Sequence, residues 1–459
     1  MTDPSNAPTP GRRIAAAVGS RADVTVVLAV LLPLLTVAAL LLVRPGSQEV
    51  VTQPPERTVV TRSTVVCPSG ASESSLTTMS DEGGPVAARV GKDPSTVDLA
   101  PRSVTSVPGD GPVVVTGEGV LAPGLVGGVF RSPLAAASCS EPAPDQWFTG
   151  VGAGARHNSV LELVNPDAGP AVVDSTLIGQ EGVIDAPELR GVAVPARGVV
   201  RIDLATTIPR RDELTLRVTT SRGRVSATMR DHYDQLGAGA AARDWLPAQA
   251  APSTTNTMLG MVPGSGQRNL VLTNAGTDET RAAVQVVTED SVFTPQGVKD
   301  VVVGPESVTR VSLSKLLPKD ALGDAIGLVV TSGSPLTATV RSFVDGDLSH
   351  SAPGEQISSS TVLTPPGRKQ VVLAGADGAG TVTVVATDES GQEVARRRVD
   401  VVAKRGFAVD LPSKAALVEV TVRGTTMVGS VTVTGDGVAV LPLTPLVLDS
   451  LVAQVRPGL

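Results

Sequence analysis

The chain has 459 residues, a net charge of −7, 41% hydrophobic residues, eight aromatic residues, three His and two Cys. This length allows two to four domains at roughly 100–200 residues each. The acidic balance and the few aromatics argue against a nucleic-acid partner, and the scarcity of His and Cys argues against a transition-metal site, so we expect no cofactor.

Residues 24–43 form an uncharged apolar run near the N-terminus. As a helix, about twenty residues measure about 30 Å, which is the thickness of a bilayer's hydrocarbon core. A cleavable signal peptide is the alternative, but its apolar region is usually about 7–15 residues and ends in a small-x-small site. Arg44-Pro45-Gly46-Ser47 follows here instead. The sequence therefore favours an uncleaved transmembrane helix.

The flanking charges predict the orientation of this helix. Arg12, Arg13 and Arg21 precede the run and Arg44 alone follows it closely, which places the N-terminal side in the cytoplasm. Residues 1–23 carry three Arg and two Asp, a net +1, so −7 minus +1 leaves −8 for the rest. We expect a single-pass protein of the cell membrane, with a cytoplasmic tail over 1–23, a stalk over 44–60 and a large ectodomain outside.

Both cysteines, Cys67 and Cys139, fall in the predicted ectodomain, where disulfides form and persist. A redox pair or a metal site is the alternative, but the C-x-x-C spacing is absent and no His lies nearby in sequence. The sequence predicts a structural disulfide, and a bridge across a loop of this size contributes about 4 kcal/mol.

A repeat appears when the chain is shifted by 109 residues. The matching pairs include Leu161 with Leu270, Leu163 with Leu272, Asn165 with Asn274, Val192 with Val301, Val194 with Val303, Arg201 with Arg310 and Leu204 with Leu313. After an insertion, residues 227–230 match 338–341. A fainter copy includes Val371 and Leu373, and a degenerate one is expected over 60–140. Such self-similarity is typical of repeat architectures.

Each copy has the pattern of β-structure. Val-, Leu- and Thr-rich runs such as 160–164 and 381–385 are short and bounded by Gly, Asn, Asp and Pro. We predict an all-β protein of tandem immunoglobulin-like β-sandwich repeats, preceded by one N-terminal transmembrane helix. The predicted sandwiches span 61–145 (degenerate, with the disulfide), 146–236, 255–346 and 360–459. Residues 235–257 and 346–367 are predicted linkers, with short helical turns near 241–245 and 316–325.

The three histidines are His157, His232 and His350. A catalytic nucleophile needs a base within hydrogen-bond reach, yet His232 aligns with Phe343 in the next copy and His350 falls in a predicted linker. Packed or solvated histidines are favoured, so we predict no catalytic residues and no enzyme. An envelope hydrolase with a carboxylate pair is a less favoured alternative, because nothing in the sequence selects a pair.

The scarce aromatics Trp147, Phe148 and Trp245 are candidates either for a binding surface or for interdomain packing. Residues 147–148 align with the apolar pairs 258–259 and 362–363, which favours packing. Trp245 lies between the predicted second and third sandwiches. Exposure of the rings would instead favour a carbohydrate-binding accessory module for envelope glycan assembly.

The combination of an N-terminal anchor with four short motifs resembles an uncharacterised family of actinobacterial membrane-anchored, β-rich ectodomain proteins. The motifs are Cys67-Pro68, Cys139, Trp147-Phe148-Thr149-Gly150 and Leu161-x-Leu163-Val164-Asn165-Pro166. The resemblance covers nearly the whole chain and implies a cell-envelope role, beside envelope glycosyltransferases, without a defined activity. We therefore expect a non-catalytic extracytoplasmic scaffold or interaction protein, with an envelope protein or glycan as partner.

Overall fold

The computed structural model describes residues 24–42, 56–236 and 241–452. Helix α1 (Val24–Leu42) carries no charge and contains Pro33. It is long and apolar enough to cross a membrane, a property that a signal sequence near an N-terminus shares. Residues 57–452 form a separate compact body that consists mainly of antiparallel strands.

The strands of this body fall into four consecutive groups, which we call units. After β1 (Glu56–Val59), the first unit comprises β2 (Arg62–Cys67), β3 (Glu73–Thr78), β4 (Gly84–Val90), β5 (Asp93–Leu99), β6 (Thr105–Pro108), β7 (Val113–Glu118), β8 (Leu125–Arg131) and β9 (Ala135–Ser138). The second comprises β10 (Asp145–Ala153), β11 (His157–Val164), β12 (Ala171–Gly179), β13 (Gly182–Ile184), β14 (Val192–Val194), β15 (Val199–Asp203), α2 (Leu204–Thr207), β16 (Arg211–Arg222), β17 (Ser226–Tyr233) and β18 (Ala242–Leu246).

The third unit comprises β19 (Ser253–Leu259), β20 (Gly266–Asn274), β21 (Thr280–Val287), β22 (Val292–Phe293), β23 (Val301–Val303), β24 (Ser307–Ser312), α3 (Leu313–Leu316), α4 (Lys319–Gly323), β25 (Gly327–Val344) and β26 (Asp347–Ser351). The fourth comprises β27 (Ser359–Leu363), β28 (Arg368–Ala374), β29 (Gly380–Thr387), β30 (Glu393–Val401), β31 (Phe407–Leu411), β32 (Leu417–Arg423), β33 (Val428–Thr434) and β34 (Val438–Pro442). The final strand, β35 (Asp449–Val452), pairs with β1.

The same strand order recurs in the four units. The first unit has the sheets β2-β7-β4-β5 and β6-β3-β8-β9, and the fourth has β27-β32-β29-β30 and β31-β28-β33-β34. The second unit repeats this order, except that two short strands, β13 and β14, pair with β12 at the position that β5 alone occupies in the first unit. In the third, the long β25 serves as both the sixth and the seventh strand, because it pairs with β19 and β21 through its first half and with β20 and β26 through its second.

The immunoglobulin-like part of the fold prediction is not confirmed. In an immunoglobulin domain the first two strands share a sheet. Here β2 and β3 lie in different sheets, as do β27 and β28. The mostly β composition of the body and the apolar helix that precedes it are confirmed.

Each unit has a core to which both of its sheets contribute, because alternate side chains of a strand face inward. In the first unit Val65, Leu76 and Val129 share one cluster. The disulfide between Cys67 and Cys139 joins the end of β2 to the residue after β9, with Cα atoms 4.2 Å apart. The predicted disulfide is therefore confirmed, and it ties together the two ends of the first unit.

The repeat found by shifting the sequence is visible in individual hydrogen bonds. The side-chain amide of Asn165 donates to the backbone carbonyls of Gly169 and Pro195. The side-chain amide of Asn274 likewise donates to the backbone carbonyls of Asp278 and Gly304. In both copies the asparagine side-chain oxygen also accepts from the backbone N–H two residues later. Buried asparagines with equivalent bonds explain why this residue recurs in both copies.

The four units close into a circuit rather than a linear array. Their last strands meet at its centre: β9 contacts β18, β18 contacts β26, β26 contacts β34, and β34 contacts β9. Asp436 of the fourth unit accepts hydrogen bonds from the Ser132 hydroxyl (2.5 Å) and the Leu134 N–H (3.0 Å) of the first. Leu134 and Ala136 also pack into the hydrophobic core of the fourth unit.

The predicted linkers contain two of these central strands. Residues 242–246 and 347–351 form β18 and β26, so a linker at these positions and a helical turn near 241–245 were wrong. The predicted turn near 316–325 overlaps α3 and α4. Small residues and Gly beside the strands suggested a linker, whereas pairing with β17 and β25 makes both segments strands.

Candidate functional site

A cluster of buried charged residues lies at the joint between the second and third units. Asp231 of β17 is its centre, with carboxylate oxygens 2.8 Å from Nε2 of His157 and 2.9 Å from Nε2 of His350. The Ser159 hydroxyl donates to the same carboxylate at 2.5 Å. His350 belongs to β26 of the third unit, so the joint brings together residues 119 positions apart in the chain.

A second ion pair lies beside the first. The guanidinium of Arg341 in β25 binds the carboxylate of Glu213 in β16, and Arg310 binds the same carboxylate at 3.1 Å. Arg341 also donates to Nδ1 of His157 at 2.8 Å. Because arginine only donates, Nδ1 of His157 accepts, and this assigns the ring proton to Nε2, toward Asp231. Two units thus share one hydrogen-bonded network.

His350 lies between two carboxylates. Its Nε2 contacts Asp231, and its Nδ1 is 3.5 Å from the Asp244 carboxylate, too long for a good hydrogen bond. Burial by itself lowers the pKa of His350, but its hydrogen bond to Asp231 and the negative charge of the nearby Asp244 outweigh burial and raise that pKa to about 9. A positively charged His350 is therefore the state that the joint stabilises at neutral pH.

The two carboxylates differ in environment. Burial would raise the pKa of Asp231, but His157 and His350 outweigh it and hold that pKa well below its usual range. Asp244 is also fully buried, and burial raises its pKa to about 6 because His350 only partly compensates. In the second ion pair, Arg341 outweighs burial and lowers the pKa of Glu213. The joint thus holds opposite charges in contact in a buried interior.

The cluster contains the residue types of a Ser-His-Asp triad but not the arrangement. Ser159 donates directly to Asp231, whereas a nucleophile must give its proton to a base such as histidine. Ser159 and Asp231 are 0% exposed, and His157 is 3% exposed, so a substrate cannot contact them. The geometry fits a joint between units rather than a catalytic centre.

The three candidate aromatics are buried: Trp147 and Trp245 are 5% exposed and Phe148 is 1% exposed. Phe148 lies in the core of the second unit. Trp147 packs on Val271 and Val308 of the third unit, with the Arg217 guanidinium 5.1 Å from its ring. Trp245, on the last strand of the second unit, reaches into the core of the first. The two indole rings join units, Phe148 fills the core of one unit, and none of the three rings forms a flat exposed surface for sugar stacking.

A cleft of about 430 Å³ opens where the first, second and fourth units meet. Its wall includes parts of the central strands β9, β18 and β34, the residues Phe148 and Trp245, and the segment 444–447 that follows β34. Its size is within the range of small-ligand sites, which often form between domains. The ionisable side chains that line it are all acidic: Glu141, Asp145 and Glu355.

Sequence reasoning missed the buried cluster. One signal was available in the strand 226–233. Met229 is a core position of the repeat, and Asp231, two residues later, faces the same side of the strand. A buried acid at that position requires a partner. Its partners His157 and His350 come from another strand and from another unit. No local pattern connects them.

Fold and joints define a β-rich protein of four topologically equivalent units, packed in a circuit after an apolar N-terminal helix. Residues 118–412 match a family of unknown function, DUF5719, and the chain belongs to that family. No curated protein and no solved structure matches the chain.

Proposed function

We propose that the protein is a non-catalytic extracytoplasmic scaffold of the cell envelope, made of four β-sandwich units and anchored by α1 with its N-terminus in the cytoplasm. Its task is to present a rigid body to a partner protein outside the membrane. The resemblance to envelope ectodomain proteins and the excess of arginine before α1 support the location.

The closed circuit of units is the observation that carries this proposal. Interfaces between domains of one chain otherwise permit relative motion. Here the joint between the second and third units contains the buried pairs Asp231–His350 and Glu213–Arg341. The fourth unit also packs on the first through Asp436 and Leu134, so movement at one joint would strain the others. A body of this kind suits presentation of a fixed surface.

Photo-crosslinking in the native envelope tests the proposal. A photoreactive residue is placed at Val120 or Val183, both exposed on the body, and the attached proteins are identified. We expect one or a few specific protein adducts, lost when α1 is replaced by a cleavable signal peptide. Recovery of no specific protein, with glycan binding by the same membrane preparation, would favour the carbohydrate-binding alternative. Hydrolysis of envelope glycans by the purified protein would contradict the non-catalytic assignment.

A further inference from the structure

The cleft at the centre of the circuit has walls suited to an apolar ligand. Val65, Leu125, Met229 and Trp245 contribute apolar side chains. The first, second and fourth units all contribute, so the cleft exists only because the circuit is closed. Its walls come from strands of these units and from the segments that follow β18 and β34.

The charges around the cleft have one sign. Asp145 is already paired with Arg217, at 2.5 Å. Glu141 accepts only a neutral hydrogen bond, from the Ser63 hydroxyl at 2.9 Å. Glu355 is exposed, and no ion pair joins it to another residue in the described part of the chain. In the described part of the chain neither Glu141 nor Glu355 is in ion-pair contact with an arginine or lysine, although Arg224 is near enough to Glu141 to interact with it electrostatically.

This charge pattern selects the class of ligand. Phosphates and sulfates are bound by Arg, Lys or helix N-termini, and the described lining contains no Lys, Arg or His. A cationic group is favoured by nearby carboxylates. Anionic lipids and acidic glycans are thus poor candidates, whereas a guanidinium or ammonium group carried on an apolar chain fits.

The wall also offers main-chain groups. β9 and β34 each lie at the edge of a sheet and have one hydrogen-bonded neighbouring strand, β8 and β33 respectively. Residues 136–138 of β9 and 440–442 of β34 line the cleft. An extended peptide can hydrogen-bond to such a strand edge while its side chains enter the pockets beside it.

We propose that the central cleft binds an extended, apolar peptide segment with one cationic side chain, supplied by a partner protein. This proposal rests on the scaffold function and specifies where and by what chemistry the partner is held. The cationic side chain lies between Glu141 and Glu355, and the flanking apolar residues contact the wall around Trp245.

Binding is measured with the full-length protein in detergent micelles. The probes are fluorescent pentapeptides with Arg at the centre and Val, Leu or Ala on either side, and matched peptides with Glu at the centre. We expect the Arg series to bind at least about tenfold more tightly than the Glu series, since charge-assisted hydrogen bonds to the carboxylates form with Arg and like charges repel Glu. The double variant Glu141→Gln/Glu355→Gln should remove this preference, whereas Glu393→Gln, an exposed acid on β30, should leave it unchanged.

A steric variant separates the cleft from other acidic surfaces. Ala250→Trp fills the cleft from its exposed rim and should abolish binding, whereas Ala168→Trp, in an exposed turn of the second unit, should not. Equal binding of the two series, or binding unaffected by Ala250→Trp, would overturn the proposal. Binding seen only after truncation at Val452 would also overturn it, because the chain's own C-terminal segment would then be the occupant. If peptides fail but the envelope crosslinks persist, the scaffold function stands and the partner binds elsewhere.

Discussion

At the scale of single residues, the joint between the second and third units shows how buried charges are tolerated. Each charge has an opposite charge in contact, as in Asp231 with His350 and Glu213 with Arg341. Taking ions out of water is costly, and removal of one partner leaves the other charge buried and uncompensated. The cluster therefore makes the pairing of these two units specific, because a shifted arrangement would separate the charges.

The pH dependence of stability follows from His350. Its pKa is about 9 in the folded protein and about 6.5 when unfolded, so folding is favoured by the bound proton. This stabilisation is complete below about pH 6.5 and is lost as the pH rises through about 9. We expect the contribution of His350 to the free energy of unfolding to fall by up to about 3 kcal/mol between pH 7 and pH 10. Burial lowers the pKa of Lys369 to about 8, which acts in the opposite direction over this range, so the His350 contribution is the difference between the wild-type protein and a variant without this histidine.

The substitution His350→Gln should remove most of this alkaline dependence and cost about 3 kcal/mol at pH 7, because Asp231 loses a charged partner. His232→Gln is the matched control, since His232 is only partly buried and should cost less than about 0.5 kcal/mol. Urea unfolding at pH 7 and pH 10 measures both. An unchanged pH profile in His350→Gln would show that another group is responsible.

At the scale of elements, turns position the strands that form the joints. Gly260, just after β19, has φ of +86°, and a Cβ there would lie 2.6 Å from Val440 of the fourth unit. Gly346, in the turn between β25 and β26, has the same φ of +86° but open space around a Cβ. Substitution of Gly346 therefore tests backbone strain alone, whereas substitution of Gly260 adds a steric contact with the fourth unit.

We expect Gly346→Ala to cost about 1 kcal/mol, the strain of a left-handed conformation in a residue with a Cβ. Gly260→Ala should cost at least about 1 kcal/mol more, because β34 must shift to relieve the contact with Val440. Chemical unfolding of both variants gives the difference. Equal decreases in the free energy of unfolding would mean that the joint between the third and fourth units accommodates the added methyl group without an energetic cost.

Prediction from sequence succeeded where the signal is local or repeated along the chain. The bonds of Asn165 recur at Asn274, because each asparagine holds the loop that follows its own strand. The prediction was wrong at 242–246 and 347–351. These segments are strands because their backbones hydrogen-bond to β17 and β25 respectively. The composition of a segment does not indicate which strand will pair with it.

At the scale of the whole molecule, the consequence of four equivalent units is closure. Interfaces of one kind between successive copies generate a ring when the rotation between copies closes, and an open array when it does not. The contacts of β34 with β9 show that it closes here. Closure creates the central cleft, which no pair of adjacent units would form alone.

Closure can be tested by crosslinking across the joint between the fourth and first units. Cysteines at Ser132→Cys and Asp436→Cys replace side chains whose oxygens lie 2.5 Å apart, and a short bismaleimide should join them rapidly within one chain. The control pair Ser132→Cys/Asp320→Cys places the second cysteine on α4 of the third unit and should react slowly. Similar rates for the two pairs would indicate a linear array.

The amino-acid sequence alone was enough to predict the apolar N-terminal helix, the β-rich body, the Cys67–Cys139 bridge and the repeat, because each depends on composition, periodicity or self-similarity. The strand order, the closed circuit, the central cleft and the pairing of Asp231 with His350 emerged only from the folded chain. They depend on contacts between units, and those contacts are made by residues about a hundred or more positions apart, whose proximity no local pattern encodes.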